Sequence, residues 1–148
     1  MTRIAVLVAI SCLFAGHQVQ AKCSPELDTL EAKVKAAEFV FVAWVESATA
    51  MKKPGNATTL SANYQAIQSL KGDVGETGSV SSNLTTGGME FTPGLIYLFF
   101  LYPESDGVGF CGGSRRLDWY NAYEAGARYE EAEDEHRLLS TIRELAAE

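Results

Sequence analysis

The cysteines and histidines are the residues of this chain best suited to nucleophilic catalysis or zinc binding. They are Cys12, Cys23, Cys111, His17 and His136. His17 falls in an N-terminal stretch typical of an export signal, so His136 alone would remain in the mature protein. A Ser-His-Asp triad needs a histidine beside its nucleophile, and a zinc site combines several His and Cys ligands. We therefore predict no catalytic residue and no metal site.

Clustered acids and paired glycines are the other patterns with ligand-binding chemistry. The acids precede a C-terminal apolar stripe, and they are Glu130, Glu131, Glu133, Asp134 and Glu135. They lack the Asp/Asn–Gly spacing of a calcium loop, and acids at a helix start interact favourably with the helix dipole. The pairs Gly87-Gly88 and Gly112-Gly113 follow neither the Walker nor the dinucleotide-binding spacing. We therefore predict a protein that is not an enzyme and has no cofactor.

Residues 1–21 have the layout of a secretory signal peptide. Arg3 gives a positive start, residues 4–15 are mostly apolar, and Val19 and Ala21 put small residues at the −3 and −1 positions of a cleavage site. The apolar run is too short for a membrane-spanning helix, which needs about 20 residues. We predict cleavage after Ala21, a secreted or periplasmic location, and no stable membrane insertion of the mature protein.

The mature chain, residues 22–148, is predicted to be one acidic domain. Removing 21 of the 148 residues leaves 127, and the loss of Arg3 changes the formal net charge from −7 to −8. A chain of this length can bury a core of its own. Negative charge repels phosphate backbones, which proteins bind through lysine and arginine, so we expect no nucleic-acid partner.

Cleavage leaves Cys23 and Cys111 as an even pair of cysteines in an oxidising compartment. We predict a disulfide between them, which closes a long loop and stabilises the fold by roughly 4–5 kcal/mol in the chain-entropy model. The alternative is a redox pair, but redox cysteines usually lie close together in the sequence. Asn56 and Asn83 each begin a glycosylation sequon, whose use depends on the source.

Hydrophobic periodicity predicts a mainly β domain with a helix at each end. Ser24 and Pro25 begin a short helix that carries an apolar stripe to about Ala37. Residues 91–102 contain an apolar run between turn residues, which is typical of a strand buried on both faces. The five predicted strands are, in order, residues 38–48, 62–70, 78–85, 91–102 and 108–116.

The remaining segments are a predicted loop and a predicted C-terminal helix. Residues 51–61 contain lysine, proline, glycine and asparagine, which favours a loop. The helix begins at about residue 128 and has an apolar stripe between Leu138 and Leu145. Three aromatic residues precede it, namely Trp119, Tyr120 and Tyr123. We interpret them as a cover over one end of the sheet, and the alternative is an exposed patch for a partner.

Five segments carry motifs in the order and spacing of a known family. They are Cys23-Ser24-Pro25, Ala37–Val42, Tyr64 with Lys71-Gly72, Gly94–Phe99 and Cys111–Ser114. Together they resemble the netrin-like domain of the tissue inhibitors of metalloproteinases, in its bacterial exported form. The resemblance extends from Cys23 to about Arg143 and implies a five-stranded OB-type β-barrel with helices packed alongside.

Zinc chelation, the inhibitory chemistry of that family, is not expected here. In the metalloproteinase inhibitors a cysteine is the first mature residue, and its amino group and carbonyl bind the zinc of the protease. Cleavage after Ala21 leaves Lys22 ahead of Cys23, so the cysteine nitrogen is an amide. Pro25 and Ala43 also stand where the family has a cysteine and a glycine.

The function we expect is that of an exported, non-enzymatic binding module whose partner is a protein. A second interpretation is a peptidase inhibitor that uses a ridge formed by Lys22, Cys23 and Ser24 without chelation. A third is an OB-type binder of oligosaccharide or another ligand. The third strand lacks the aromatic platform on which nucleic-acid bases stack. The sequence determines neither the partner's identity nor the oligomeric state.

Overall fold

The structure, a computed structural model, describes residues 25–52, 58–84, 87–103, 105, 107–118 and 132–148. Its elements are a 3₁₀ turn (Pro25–Leu27), helix α1 (Leu30–Ala36), strands β1 (Phe39–Lys52), β2 (Thr58–Lys71), β3 (Thr77–Asn83), β4 (Ile96–Leu101) and β5 (Arg115–Arg116), and helix α2 (Ala132–Ala146). This confirms the prediction of a mainly β fold with flanking helices. No helix in these ranges is long and apolar enough to cross a membrane.

The five strands form one antiparallel sheet in the order β3-β2-β1-β4-β5. The central strand is β1, whose first half is apolar on both faces. It pairs with β2 along most of its length and with β4 through six residues. β5 adds to the far side of β4 through the pairs Tyr97↔Arg116 and Leu98↔Arg115. β4 therefore lies between the central strand and a two-residue edge strand.

Apolar clusters cover both faces of the sheet. In β4, Tyr97 and Phe99 belong to one cluster and Leu98 and Phe100 to the other, and each side chain is at most 2% exposed. This confirms the prediction of a strand buried on both faces. The helices pack on the second cluster through Val34, Leu139 and Ile142. Full burial of such a side chain stabilises the fold by about 1.5–3 kcal/mol.

Helix α1 begins later than the sequence predicts. Thr29 has extended backbone angles, and its Oγ1 accepts a hydrogen bond from the Ala32 N–H at 3.1 Å, which makes it the N-cap. Pro25–Leu27 forms a separate 3₁₀ turn before this cap. The prediction of one continuous helix up to residue 37 is therefore wrong, because Thr29 starts the α-helix afresh.

The β1–β2 hairpin extends further than the sequence predicts. Met51 pairs with Thr59 and Lys52 pairs with Thr58, so the ends of the predicted loop, residues 51–61, belong to strands. Most side chains in this half of β1 are exposed. Backbone pairing and the strand preference of threonine therefore favour the extension without deep burial.

The fifth strand is shorter than predicted. Within residues 108–116, Arg115–Arg116 forms the strand and residues 110–113 form a turn. The Gly113 N–H donates to the Phe110 carbonyl at 3.0 Å, and Gly113 has a φ of +98°, in the left-handed region that favours glycine. A turn built on glycine thus replaces the first part of the predicted strand.

The sheet is open among the described residues, because its ladders end at β3 and β5. One parallel bridge, Ser81↔Gly107, connects β3 to the segment that leads to β5, and the Val108 N–H donates to the Ser81 carbonyl at 2.7 Å. A single bridge is not a continuous ladder. A five-stranded sheet with helices is therefore established, and the closed OB-type barrel stays a prediction.

Candidate functional site

A groove of about 520 Å³ is the candidate site. One part of its lining comes from the segment before β4 and consists of Gly88, Met89, Glu90 and Thr92. A second part comes from β5 and the chain just after it, with Arg115, Arg116 and Asp118. Tyr97 and Phe110 complete the lining. The groove thus lies beside the β5 edge of the sheet.

The segment before β4 is held by a contact with β3 and by a backbone bridge to Gly109. Gly88 pairs with Gly109 in an antiparallel bridge, and the Met89 N–H donates to Ser82 Oγ at 2.6 Å. Met89 and Ser82 are each 1% exposed. A Cβ on Gly109 would lie only 2.6 Å from the Gly87 carbonyl oxygen, so this approach requires a glycine. The sequence therefore sets the position of this side of the groove through its glycines.

Tyr97 connects the groove to the core. Its side chain is 2% exposed, and its ring stacks on Phe99 with the centroids 5.8 Å apart and the planes 7° apart. Tyr97 Oη accepts a hydrogen bond from the Thr92 N–H at 2.9 Å. The buried strand β4 thereby holds Thr92 in place at the groove.

Phe110 is the most exposed large apolar side chain in the described part of the chain, at 58%. Its backbone is nevertheless fixed, because its N–H donates to the Gly87 carbonyl at 3.1 Å and its carbonyl accepts from the Gly113 N–H. A fixed backbone presents the ring at the surface with little freedom of the main chain. Such an aromatic side chain is typical of a contact point for another molecule.

The groove carries charges of both signs. Arg116 Nε donates to Asp118 Oδ1 at 2.5 Å, and this hydrogen bond, together with the negative charge of Asp118, raises the pKa of Arg116. Within the described ranges the ion pairs are Arg116–Asp118 and Arg137–Asp134. Neither Arg115 nor Glu90 takes part in one. The Arg115 guanidinium and the Glu90 carboxylate are therefore available to a ligand.

The chemistry of the groove suits recognition. Its hydroxyl groups belong to Thr92 and Tyr97, and Tyr97 Oη already accepts a backbone hydrogen bond. Its cationic groups are guanidiniums, which stay protonated and cannot act as bases. Among the residues that the structure describes, no group of three or more His, Cys, Asp and Glu side chains is placed to hold a metal ion. The groove offers an aromatic surface and charged hydrogen-bonding groups, as protein interfaces do.

Most residues of the predicted binding ridge and disulfide lie outside the described residues. These are Lys22, Cys23 and Ser24, so the ridge and the Cys23–Cys111 bond stay predictions. Cys111 itself is half-buried in the turn 110–113, and a Cβ on Gly87 would lie 3.6 Å from its Sγ. Cys111 is thus next in the chain to the groove residue Phe110 and is not itself among the lining residues.

Of the other residues singled out from the sequence, His136 and Asn83 do not line the groove. Trp119, Tyr120 and Tyr123 lie outside the described residues, as does Asn56. His136 is exposed on α2. Asn83 is exposed at the end of β3, where its Oδ1 accepts a hydrogen bond from Thr59 Oγ1 at 3.0 Å.

Sequence reasoning missed the groove, although two signals for it exist. Phe110 is a large aromatic residue in a glycine-rich stretch that cannot continue as a regular strand, which favours exposure at a turn. Arg115 and Arg116 are adjacent cations in an acidic chain. Glu90 carries no such signal, because it reaches the groove through the tertiary contacts of its segment.

The chain matches no protein-family model, and no curated protein matches it at a significant level. Its function is therefore proposed from its residues and their geometry.

Proposed function

We propose that the protein is an exported, non-enzymatic binding module that contacts a protein partner through the groove beside β5. The observation that carries this proposal is Phe110, whose ring is 58% exposed on a hydrogen-bonded backbone. Aromatic residues are enriched in protein interfaces, where a few of them supply most of the binding energy. Full burial of a phenylalanine side chain contributes about 1.5–3 kcal/mol.

The proposed architecture is a five-stranded OB-type barrel of the netrin-like kind. The strand order β3-β2-β1-β4-β5 supports it, as does the parallel bridge Ser81↔Gly107 between one edge strand and the segment leading to the other. Further parallel pairing between β3 and the segment that leads to β5 would close the sheet. The groove is lined by residues of β5 and by residues between β3 and β4.

A peptidase inhibitor that acts through its N-terminal ridge is the second candidate function. The position of Cys111, next in the chain to the groove residue Phe110, favours it. A disulfide from Cys111 to Cys23 would anchor Lys22 and Ser24 beside Phe110. The ridge and the groove would then form one continuous contact surface.

Site-specific photo-cross-linking tests the proposed function. Benzoylphenylalanine replaces Phe110 in one protein and Ile67 in a matched control, because Ile67 is also a large exposed side chain, at 48%, but lies on β2. After irradiation in the exporting cell, we expect benzoylphenylalanine at position 110 to give one or a few defined cross-linked proteins. These cross-linked proteins should be absent when it is placed at position 67. An excess of unmodified protein should suppress the adducts, whereas an excess of the Phe110→Asp variant should not. The same adducts from both positions, or equal suppression by both competitors, would contradict the proposal.

An N-terminal extension separates the two candidate functions. Adding three residues before Lys22 should leave the cross-linking from position 110 unchanged if the groove alone binds the partner. Inhibition through the ridge should instead be lost with the extension, as measured by hydrolysis of a peptide by a zinc metalloendopeptidase.

A further inference from the structure

The groove contains one guanidinium that has no ion-pair partner in the described part of the chain. Arg116 is held by Asp118 at 2.5 Å, whereas Arg115, next to it in β5, takes part in no ion pair with the residues that the structure describes. The chain as a whole has a formal net charge of −7, so acids to pair with Arg115 are not scarce. An arginine left exposed and unpaired beside an exposed aromatic ring is suited to receive a carboxylate from outside.

We infer that the occupant of the groove is an extended peptide segment that places a carboxylate on Arg115 and an apolar side chain against Phe110. This inference rests on the proposed function and specifies the chemistry of the partner. The guanidinium fork of Arg115 binds a carboxylate through two parallel hydrogen bonds, which gives direction as well as affinity. Phe110 supplies the apolar surface that the peptide covers.

The shape of the sheet edge explains why the peptide is extended. Among the described residues, β5 is the last strand of the sheet and pairs with β4 alone, through Arg115 and Arg116. A strand added along such an edge binds through main-chain hydrogen bonds. Its successive side chains point to opposite faces, so they contact different parts of the protein. A peptide strand can therefore present its carboxylate and its apolar group at different positions of the groove.

Glu90 limits how acidic the peptide can be. Its carboxylate is exposed, lines the same groove and has no ion-pair partner among the described residues. A peptide with many carboxylates would be repelled by it, because like charges at short range destabilise a complex. A single aspartate or glutamate flanked by apolar residues gives Arg115 its partner and brings only one negative charge into the groove with Glu90.

Selection from randomised hexapeptides displayed on phage tests this inference with the full mature protein. We expect enrichment of peptides with one acidic residue next to an aromatic or aliphatic residue. The Arg115→Gln variant should lose the acidic preference and keep the apolar one, whereas Phe110→Ala should lose the apolar preference. Arg143→Gln is the matched control, because Arg143 is an exposed arginine near the end of α2. It should select the same peptides as the wild type.

The most enriched peptide gives the quantitative test by fluorescence anisotropy. Replacing its acidic residue by the corresponding amide should weaken binding to the wild type at least about tenfold, and binding to Arg115→Gln less than about twofold. Circular dichroism of each variant checks that the fold is intact. Selection without an acidic preference, or an unchanged preference in Arg115→Gln, would overturn the inference. So would the absence of any enriched peptide, or Arg115-dependent binding of oligogalacturonate in place of peptides.

The two proposals fail in distinguishable ways. Cross-links from position 110 together with peptides lacking an acidic preference would retain a protein partner and refute the acidic-peptide inference. Loss of the cross-links would refute the proposed function itself.

Discussion

Lys71 shows how one side chain can join two elements. Its Nζ, at the end of β2, donates hydrogen bonds to the carbonyl oxygens of Val34 at 2.7 Å, Lys35 at 3.1 Å and Ala37 at 2.6 Å. These carbonyls lie at the C-terminal end of α1, where the helix leaves them without helical partners. The positive charge also interacts favourably with the negative end of the helix dipole. Lys71 therefore anchors α1 to the sheet.

Replacing Lys71 by methionine should destabilise the fold by about 1.5–3 kcal/mol, the usual contribution of hydrogen bonds to a charged group. Methionine keeps most of the aliphatic stem, so the loss reports on the ammonium group. Urea unfolding measures it. The control is Lys35→Met, which removes an exposed ammonium from the same helix and should change the stability by less than about 0.5 kcal/mol. Equal effects of the two substitutions would show that Lys71 does not anchor α1.

Tyr64 makes the free energy of unfolding depend on pH in the alkaline range. Burial raises the pKa of Tyr64 above its ordinary value of 10.0, because desolvation disfavours the phenolate. The unfolded chain therefore releases this proton at a lower pH than the folded protein. The stabilising contribution is fully present below pH 10.0 and is lost as the pH rises through the raised pKa.

The free energy of unfolding should accordingly fall between about pH 8 and about pH 11, and the fall should be smaller in Tyr64→Phe. Some dependence should remain, because burial also raises the pKa of Tyr102. Urea unfolding at the two pH values, in both proteins, checks this. An identical fall in both proteins would show that the Tyr64 phenol does not contribute.

Among the elements, strands whose burial follows a regular pattern along the sequence were predictable. The two-residue edge strand β5 was not. β4 was predicted because Tyr97, Leu98, Phe99 and Phe100 form an unbroken apolar run, and a strand buried on both faces needs such a run. The C-terminal stripe likewise predicted the face of α2 that buries Leu139 and Ile142. Hydrophobic periodicity predicts these elements because the residues on a buried face recur at a fixed spacing along the sequence.

The groove could not be predicted in the same way, because it is built from non-periodic contacts. Gly109 lies against Gly87, and Met89 bonds to Ser82, through tertiary approach alone. Residues 110–113 form a turn that exposes Phe110, where the sequence predicts a continuous fifth strand. The hairpin ends were missed for a related reason, since β1 and β2 continue there mainly through backbone pairing.

Replacing Gly109 by alanine should disrupt the bridge that fixes the segment before β4. The added Cβ would lie 2.6 Å from the Gly87 carbonyl oxygen, a backbone atom that cannot move without breaking local contacts. We expect destabilisation of about 1–3 kcal/mol, typical of overpacking. The control is Gly75→Ala, whose Cβ would lie 3.5 Å from the Thr77 carbonyl oxygen. It should be neutral or stabilising by up to about 1 kcal/mol. Urea unfolding in which Gly109→Ala matches the wild type would contradict the close approach.

In the molecule as a whole, a sheet with two apolar faces carries the exposed ring of Phe110 near its β5 edge. Helices α1 and α2 cover one face, and the aromatic cluster around Phe99 fills the other. The stable sheet leaves the groove at its β5 edge free to carry binding chemistry. The predicted disulfide would bring the mature N-terminus close to Phe110, because Cys111 follows Phe110 in the chain.

The intact mass of the exported protein checks the predicted processing and disulfide. We expect a chain that begins at Lys22, with Cys23 and Cys111 resistant to alkylation until a reductant is added. Alkylation of both cysteines without reductant would refute the disulfide. A chain that begins at Cys23 would give that cysteine a free amino group and move the favoured function to metalloprotease inhibition through the ridge.

The affinity of the cross-linked partner for three forms of the protein shows whether the groove beside β5 is the binding site. Isothermal titration calorimetry compares the wild type, Phe110→Asp and the control Ile67→Asp, which places the same charge on another exposed apolar site. If the partner binds through Phe110, the first substitution should weaken binding at least about 30-fold, as expected for an interface hot spot, and the second less than about twofold. Unchanged affinity of Phe110→Asp, or an equal loss in Ile67→Asp, would show that the groove beside β5 is not the binding site.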